Sequence, residues 1–195
     1  MGTAPRDDRQ QVTVPDAARP IVIEPLAPAR HDREGFSCGS AQVDKFFRRT
    51  ANKLAQAGNV RTFVMVGPDA ELIGFYAVNA HAIDYAELPK RFGRDRPAHG
   101  SIPAAYISMM GVDSRYQGQG YGGDLLVDCL NRLAGAADAL GIAIVMLDVL
   151  DCGDPDIVAK RLALYTSYGF QPLPSNGLRL FLPMATVRAF IAEHP

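Results

Sequence analysis

A chain of 195 residues with 20 Lys and Arg against 21 Asp and Glu, net charge -1 at neutral pH, has the length of one ordinary domain. Its charge balance excludes both a general polyanion binder and an acidic solvating tail, so any polyanion site must be local. Cys38, Cys129 and Cys152 are widely spaced and have no nearby histidine pair, so they read as reduced thiols of a cytoplasmic protein and neither a metal centre nor a disulfide framework is expected. No apolar run resembles a signal peptide or approaches the roughly 18 to 20 residues that a bilayer requires.

Residues 1–19 carry too few large apolar side chains to offset the entropy of ordering and are expected to form a disordered leader, leaving residues 20–195 as a single domain. A short strand is expected at residues 21–23. Ser40 is placed to cap a helix in which Val43, Phe46, Phe47, Ala51 and Leu54 recur at helical spacing. Residues 60–66 and 72–78 are strand-like runs joined by the turn Gly67-Pro68-Asp69-Ala70, which predicts an antiparallel hairpin. Residues 86–100 break the pattern with Pro, Gly and several cations, and residues 104–112 form another long strand. Beyond a glycine-rich turn, Leu125, Leu126, Cys129, Leu130 and Leu133 mark a helix that ends near Gly135 or Gly141. Residues 142–149 are almost wholly apolar, as in a strand buried on both faces and paired in parallel through a crossover helix. A helix at 157–168, a strand at 178–182 reached through Asn176-Gly177, and a closing helix near 186–191 complete the chain. Antiparallel strands followed by a strand-helix-strand-helix-strand unit describe a mixed α/β sandwich.

The turn Gln117-Gly118-Gln119-Gly120-Tyr121-Gly122-Gly123 lies between a strand and a helix start. Free backbone N–H groups and the positive end of a helix dipole meet there, and glycines let a phosphate approach closely. Two other readings stand beside an anion site of this kind. Glycine pairs occur in ordinary turns, and Gly118-x-Gly120-x-x-Gly123, with Asp148 about 20 to 25 residues on, also satisfies a dinucleotide-binding fingerprint. That fingerprint normally sits on the first strand of its domain, whereas only about two strands follow here.

The same residues resemble the cofactor motif of the GNAT N-acetyltransferases: Arg or Gln, two residues, Gly, one residue, then Gly or Ala. The stretch Leu164-Tyr165-Thr166-Ser167-Tyr168-Gly169-Phe170 is similar to that family's closing motif, in the right order. The resemblance implies an α/β GNAT fold, a mostly antiparallel mixed sheet flanked by helices, with a parallel strand pair that splays apart at the site of acetyl-coenzyme A. It implies that Met110 and Val112 take the pantetheine arm, that Gln117, Gly118, Gln119, Gly120, Tyr121, Gly122 and Gly123 hold the pyrophosphate, and that Tyr165 is the general acid.

An attacking amine must be neutral. A lysine at its ordinary pKa of about 10.4 needs a base, whereas an α-amino group at about 7.7 to 8.0 is already partly neutral. The strand at 104–112 holds neither carboxylate nor histidine, where amine-directed members of the family often carry glutamate, so an α-amino acceptor is favoured. His81, Asp84 and Asp113 remain candidate bases, each with a structural role as the alternative. Phe36-Ser37-Cys38-Gly39, Gly58-Asn59-Val60-Arg61-Thr62-Phe63-Val64, Gly74-Phe75-Tyr76-Ala77 and Leu88-Pro89-Lys90 resemble the GNAT toxins of type II toxin–antitoxin systems. That branch implies acetylation of aminoacyl-tRNA, a homodimer, a ribbon-helix-helix antitoxin and tRNA phosphates near Lys90, Arg91, Arg94 and Arg96, with Arg61 assisting. The chain departs from it at Met109-Met110-Gly111 and in extra residues at 151–159. An N-acetyltransferase of a small amine or protein N-terminus, and a non-catalytic partner-binding domain, are the alternatives.

Overall fold

The computed structural model describes residues 20–93 and 100–193; the leader expected at 1–19 and the cations Arg94 and Arg96 lie outside the described residues. Strands β1 (Val22–Pro25), β2 (Arg61–Val66), β3 (Leu72–Asp84), β4 (Ser101–Val112), β5 (Ile144–Asp148), β6 (Gln171–Leu173) and β7 (Asn176–Pro183) alternate with helices α1 (Ala41–Lys45), α2 (Ala51–Gln56), α3 (Tyr121–Leu140), α4 (Pro155–Ser167) and α5 (Met184–Glu193). The strands form one sheet in the order β1-β2-β3-β4-β5-β7-β6. All neighbours are antiparallel except β4 and β5, which run parallel. A parallel pair needs a crossover, and α3 supplies it.

Helix α3 buries Leu125, Leu126, Cys129, Leu130, Leu133 and Ala137, one stripe at three- and four-residue spacing. Against it stand Ile73, Tyr76, Ile107, Val145, Leu147 and Leu180 of the sheet and Met184 and Val187 of α5. The helix runs through Gly135 and stops at Gly141, whose positive φ of 70° lets its N–H turn back to the Ala137 carbonyl at 2.8 Å. On the opposite face, Phe47 stacks on Phe75 with centroids 4.0 Å apart and Phe36 meets Phe47 edge-on at 4.8 Å. Further along that face the segment 85–93 covers Ile102, Met146 and Phe181, with Phe92 edge-on to Phe181 at 5.3 Å.

Three local expectations are corrected. The single helix after Ser40 is α1 and α2 joined by a π turn, Phe46–Thr50. Its buried positions Val43, Phe47 and Ala51 recur every four residues, more than the 3.6 of an α-helix, and the wider turn takes up the drift. Ser40 occupies the cap position without a side-chain cap bond. The turn before β7 falls at Pro174-Ser175, not at Asn176-Gly177; Asn176 opens the strand and its Oδ1 accepts from the Leu178 N–H at 3.0 Å. No helix among the described residues is long and apolar enough to cross a membrane.

Candidate active site

Strands β4 and β5 pair only from Ala104–Ile144 to Ile107–Leu147; β5 then ends at Asp148 while β4 continues to Val112. The cause is a bulge in β4. Val78 lies opposite Ile107 and Ala77 opposite Met109, which leaves Ser108 as an extra residue whose hydroxyl donates to the Ala77 carbonyl at 3.2 Å. A bulge bends its strand and increases its twist. The two strands part at this point, and a cleft of about 930 Å³ opens between them. Met110, Val112, Gly122, Leu164 and Tyr165 line it, and of these Met110, Val112 and Tyr165 pack with the α3 core. Tyr106, Met109, Asp148, Cys38 and Val43 line it too, and Tyr106, Met109, Cys38 and Val43 pack with the cores of the other face. The cleft therefore reaches both faces of the sheet.

Gly118 and Gly120 adopt φ of +77° and +91°, and an added Cβ at either would meet nothing within 4 Å; backbone conformation, not crowding, requires glycine there. Gly120 caps α3, and its carbonyl accepts from Gly123 N–H at 2.8 Å and Asp124 N–H at 3.3 Å. The N–H groups of Tyr121 and Gly122 have no acceptor among the described residues, as first-turn groups do. Gly123 has a separate constraint: a Cβ there would stand 2.5 Å from the Tyr168 hydroxyl. Gln117 donates both amide hydrogens to backbone, to Cys38 and Val112 carbonyls at 2.9 Å each, so its side chain joins the turn to the cleft wall. That wall is the Ser37-Cys38 loop. Buried Asp44 accepts from the Ser37 hydroxyl and the Cys38 N–H, both at 2.8 Å. Burial, reinforced by Asp44, pushes the Cys38 thiol up to about 11.

Helix α4 starts at Asp154, whose carboxylate accepts from Asp156 and Ile157 N–H at 3.0 and 3.2 Å, with Pro155 in the first turn. Arg161 donates to the Leu150 carbonyl at 2.8 Å and ties the helix to the segment after β5. Tyr165 faces the cleft half-buried, its ring 6.0 Å from Phe170, and its hydroxyl has no partner among the described residues. Burial raises its pKa above the ordinary 10, so it stays a protonated donor at neutral pH. Tyr168 instead packs edge-on against Phe190 at 5.6 Å.

Of the candidate bases, Asp113 is 1% exposed and accepts from Ser37 N–H, Arg115 N–H and the Arg115 guanidinium. Burial opposes its charge, but these bonds prevail and hold it below the usual aspartate value. It is a clamp for the wall. Asp84 is exposed and caps the 85–87 turn through Ala86 N–H. His81 is exposed beside Tyr106, ring centroids 5.3 Å apart. A carboxylate that sequence alone did not bring to the cleft is Asp148. It accepts from the Tyr106 hydroxyl at 2.8 Å and from Arg179 at 2.7 and 2.9 Å. Of the basic loop, Lys90 and Arg91 lie in a short 3-10 turn, and Arg91 bonds Gln171 of β6 and covers the Phe92 ring at 4.9 Å. Arg61, opposite Val78 in β2, alternates with Phe63 onto the α3 face, so the structure does not bring it to that loop.

The chain is 63% identical over 171 residues to a Sinorhizobium fredii protein described as probable toxin TacT, covering 87% of this chain and 94% of that one. It is 30% identical over 162 residues to the tRNA-acetylating toxin of Mycobacterium tuberculosis, covering 83% and 92%. The chain belongs to the GNAT toxins of type II toxin–antitoxin systems. This GNAT toxin is an N-acetyltransferase. No protein-family model matches it. Among solved structures, a KacT mutant superposes with TM-score 0.78 at 23% identity, over 88% of this chain and 99% of that one. AtaT complexed with acetyl-methionyl-tRNAfMet gives 0.76 at 23% identity, with the same coverage; at these identities the shared feature is the fold. The dinucleotide-binding reading of the glycine turn falls with it, because that fold needs a doubly wound parallel sheet and only one pair here is parallel.

Proposed function

We propose that this GNAT toxin transfers the acetyl group of acetyl-coenzyme A to the α-amino group of aminoacyl-tRNA and thereby blocks translation in the cytoplasm. The observation that carries the reading is a cleft open to both faces, with a phenol on one side that has no partner among the described residues, while the candidate carboxylate bases Asp84 and Asp113 are already committed to hydrogen bonds within the protein. Backbone of Met110 and Val112 would take the pantetheine arm. The turn from Gln117 through Gly118, Gln119, Gly120, Tyr121 and Gly122 would hold the pyrophosphate, chiefly through N–H groups, since the Gln117 side chain and the Gly123 N–H are engaged within the protein. Glycines at these φ values allow the close approach that a pyrophosphate needs.

An α-amino group of pKa about 7.7 to 8.0 arrives partly neutral and needs no strong base. Its attack on the thioester makes coenzyme A a leaving thiolate, and the Tyr165 phenol donates a proton to it. Lys90 and Arg91, on the face opposite α3, are proposed to meet tRNA phosphates. A ribbon-helix-helix antitoxin is the proposed partner, and a homodimer, testable by light scattering, the proposed assembly.

The test is purified protein with labelled acetyl-coenzyme A against a panel of charged tRNAs. Label in the N-acetyl-aminoacyl ester supports the reading. Label entering only free amines or peptide N-termini would overturn it.

A further inference from the structure

The cleft has an acceptor side that the reading above leaves undescribed. Tyr106 and Asp148 stand where β4 and β5 part: Tyr106 belongs to the last paired residues of β4, and Asp148 follows Leu147, the last paired residue of β5. Both line the cleft. Ile144 and Met146, two and four residues before Asp148, pack with Tyr106 on the face opposite α3, and strand alternation places Asp148 there as well. Tyr165 packs on the other side. An amine entering from the Tyr106 side would meet a thioester held beside Tyr165 across the opened strands.

The pair is held rigidly. Arg179 lies directly opposite Asp148 in the β5–β7 register, and its guanidinium grips both carboxylate oxygens at 2.7 and 2.9 Å. The Tyr106 hydroxyl donates to Oδ2 at 2.8 Å. Oδ2 thus accepts two bonds and Oδ1 one, which leaves an acceptor position on Oδ1; the phenol oxygen, its proton directed at Asp148, has lone pairs to offer. Among the described residues, His81 is a further titratable side chain against Tyr106, and Glu87 lies near enough to act on Arg179.

We propose that the Tyr106 oxygen and the Asp148 carboxylate form the subsite that recognises the acceptor's amino group, accepting its N–H bonds and aiming the nitrogen at the thioester, with Arg179 as a positioning residue. The inference rests on the aminoacyl-tRNA reading. Two facts fit a recognition role better than a general base. The Arg179 hydrogen bonds hold Asp148 below the usual carboxylate range, and burial, with the bond to Asp148, pushes Tyr106 up to about 12. Neither group exchanges protons near neutral pH.

The experiment compares two forms of one tRNA, charged with its amino acid or with the matching α-hydroxy acid made by nitrous acid deamination. The hydroxyacyl form is an inhibitor whose Ki is set against the KM of the aminoacyl form, for the parent protein, Asp148→Asn and Tyr106→Phe. The parent is expected to favour the amino form by about 10- to 100-fold, the scale of a hydrogen bond to a charged group. In both variants the ratio should fall toward unity while acetyl-coenzyme A affinity and the hydroxyacyl Ki hold. Tyr106→Phe keeps the Asp148–Arg179 pair, so it separates recognition from loss of the ion pair. Equal weakening of both tRNA forms, or an unchanged ratio, would overturn the inference. Failure of the parent protein to acetylate any charged tRNA would overturn the aminoacyl-tRNA reading, and the inference with it.

Discussion

Replacing Gly123 with alanine puts a methyl carbon 2.5 Å from the Tyr168 hydroxyl and 3.7 Å from ring carbon Cζ. The ring cannot swing away freely, because Phe190 packs edge-on against it at 5.6 Å. Overpacking of this kind costs about 1 to 3 kcal/mol. Alanine inside a helix recovers about 0.5 to 1 kcal/mol over glycine, so Gly123→Ala should destabilise the protein by roughly 0 to 2.5 kcal/mol. Removing the hydroxyl changes the sign. In a Tyr168→Phe background the nearest ring carbon, at 3.7 Å, is an ordinary contact, and the same alanine should stabilise by about 0.5 to 1 kcal/mol. The difference is a coupling of about 1 to 3 kcal/mol between touching residues. For a chain of this size 1 kcal/mol moves the melting temperature by about 2 to 4 °C. Thermal unfolding of the four proteins of the cycle, without acetyl-coenzyme A, reads both signs. An alanine that shifts Tm equally in the two backgrounds would refute the contact as the reason for glycine at 123.

Tyr165→Phe keeps the ring and removes the donor, so kcat should fall about 10²- to 10⁴-fold with acetyl-coenzyme A affinity by calorimetry unchanged; full kcat with chemistry rate-limiting would leave water as the acid. An added Cβ at Gly122 makes only ordinary contacts at 4.0 Å with Leu164 and Val112, so Gly122→Glu should fold and yet lose acetyl-coenzyme A binding, by placing a carboxylate in the pyrophosphate path; retained affinity would move the cofactor elsewhere. Lys90→Ala with Arg91→Ala should raise KM for charged tRNA and flatten its salt dependence by about one unit of log-log slope per lost contact, and parental slopes would show a solvated face. The Arg115 and backbone hydrogen bonds hold Asp113 below the usual aspartate value in the folded protein, so its contribution to stability is complete above the unfolded value and is lost as pH falls through the folded one; Asp113→Asn should lower Tm at pH 6 and shrink the gap to the parent toward pH 2, and a pH-independent gap would contradict this.

Much of the architecture follows from local pattern. The hairpin β2–β3 has two apolar strand-like runs on either side of Gly67-Pro68-Asp69-Ala70, and α3 has a stripe that stops at a glycine able to reach positive φ. The failures are local signals overruled by neighbours. Asn176-Gly177 has turn chemistry, but β7 pairs Leu173 with Asn176 and the turn moves two residues earlier. Strand β6 is three residues long and contains Pro172, which is tolerated because β6 is an edge strand. The bulge at Ser108 leaves no trace in hydropathy, since one inserted residue only exchanges which face later side chains occupy. The outcome is large: that residue separates β4 from β5 and makes the cleft.

The positive φ of Gly118 and Gly120 was legible because such backbone restricts residue type, and the place of Tyr165 on the cleft through a motif in the correct order. Asp148 was not, and the reason is where its partners come from. Read alone, β5 is an apolar run with a terminal carboxylate; its meaning needs Tyr106, 42 residues earlier, and Arg179, 31 residues later, both delivered by strand register. The same dependence explains why an empty search for a base along β4 was informative. Buried carboxylates near the cleft are clamped, Asp44 by the Ser37-Cys38 loop and Arg48, Asp113 by Arg115. Asp148 is gripped by Arg179, and Asp151 at the rim holds the Gly153 N–H. A lysine ammonium entering this cleft would find carboxylates able to bind it and none poised to deprotonate it. An α-amino group, partly neutral in solution, needs only binding and aim, which is what a clamped carboxylate beside a neutral phenol can supply.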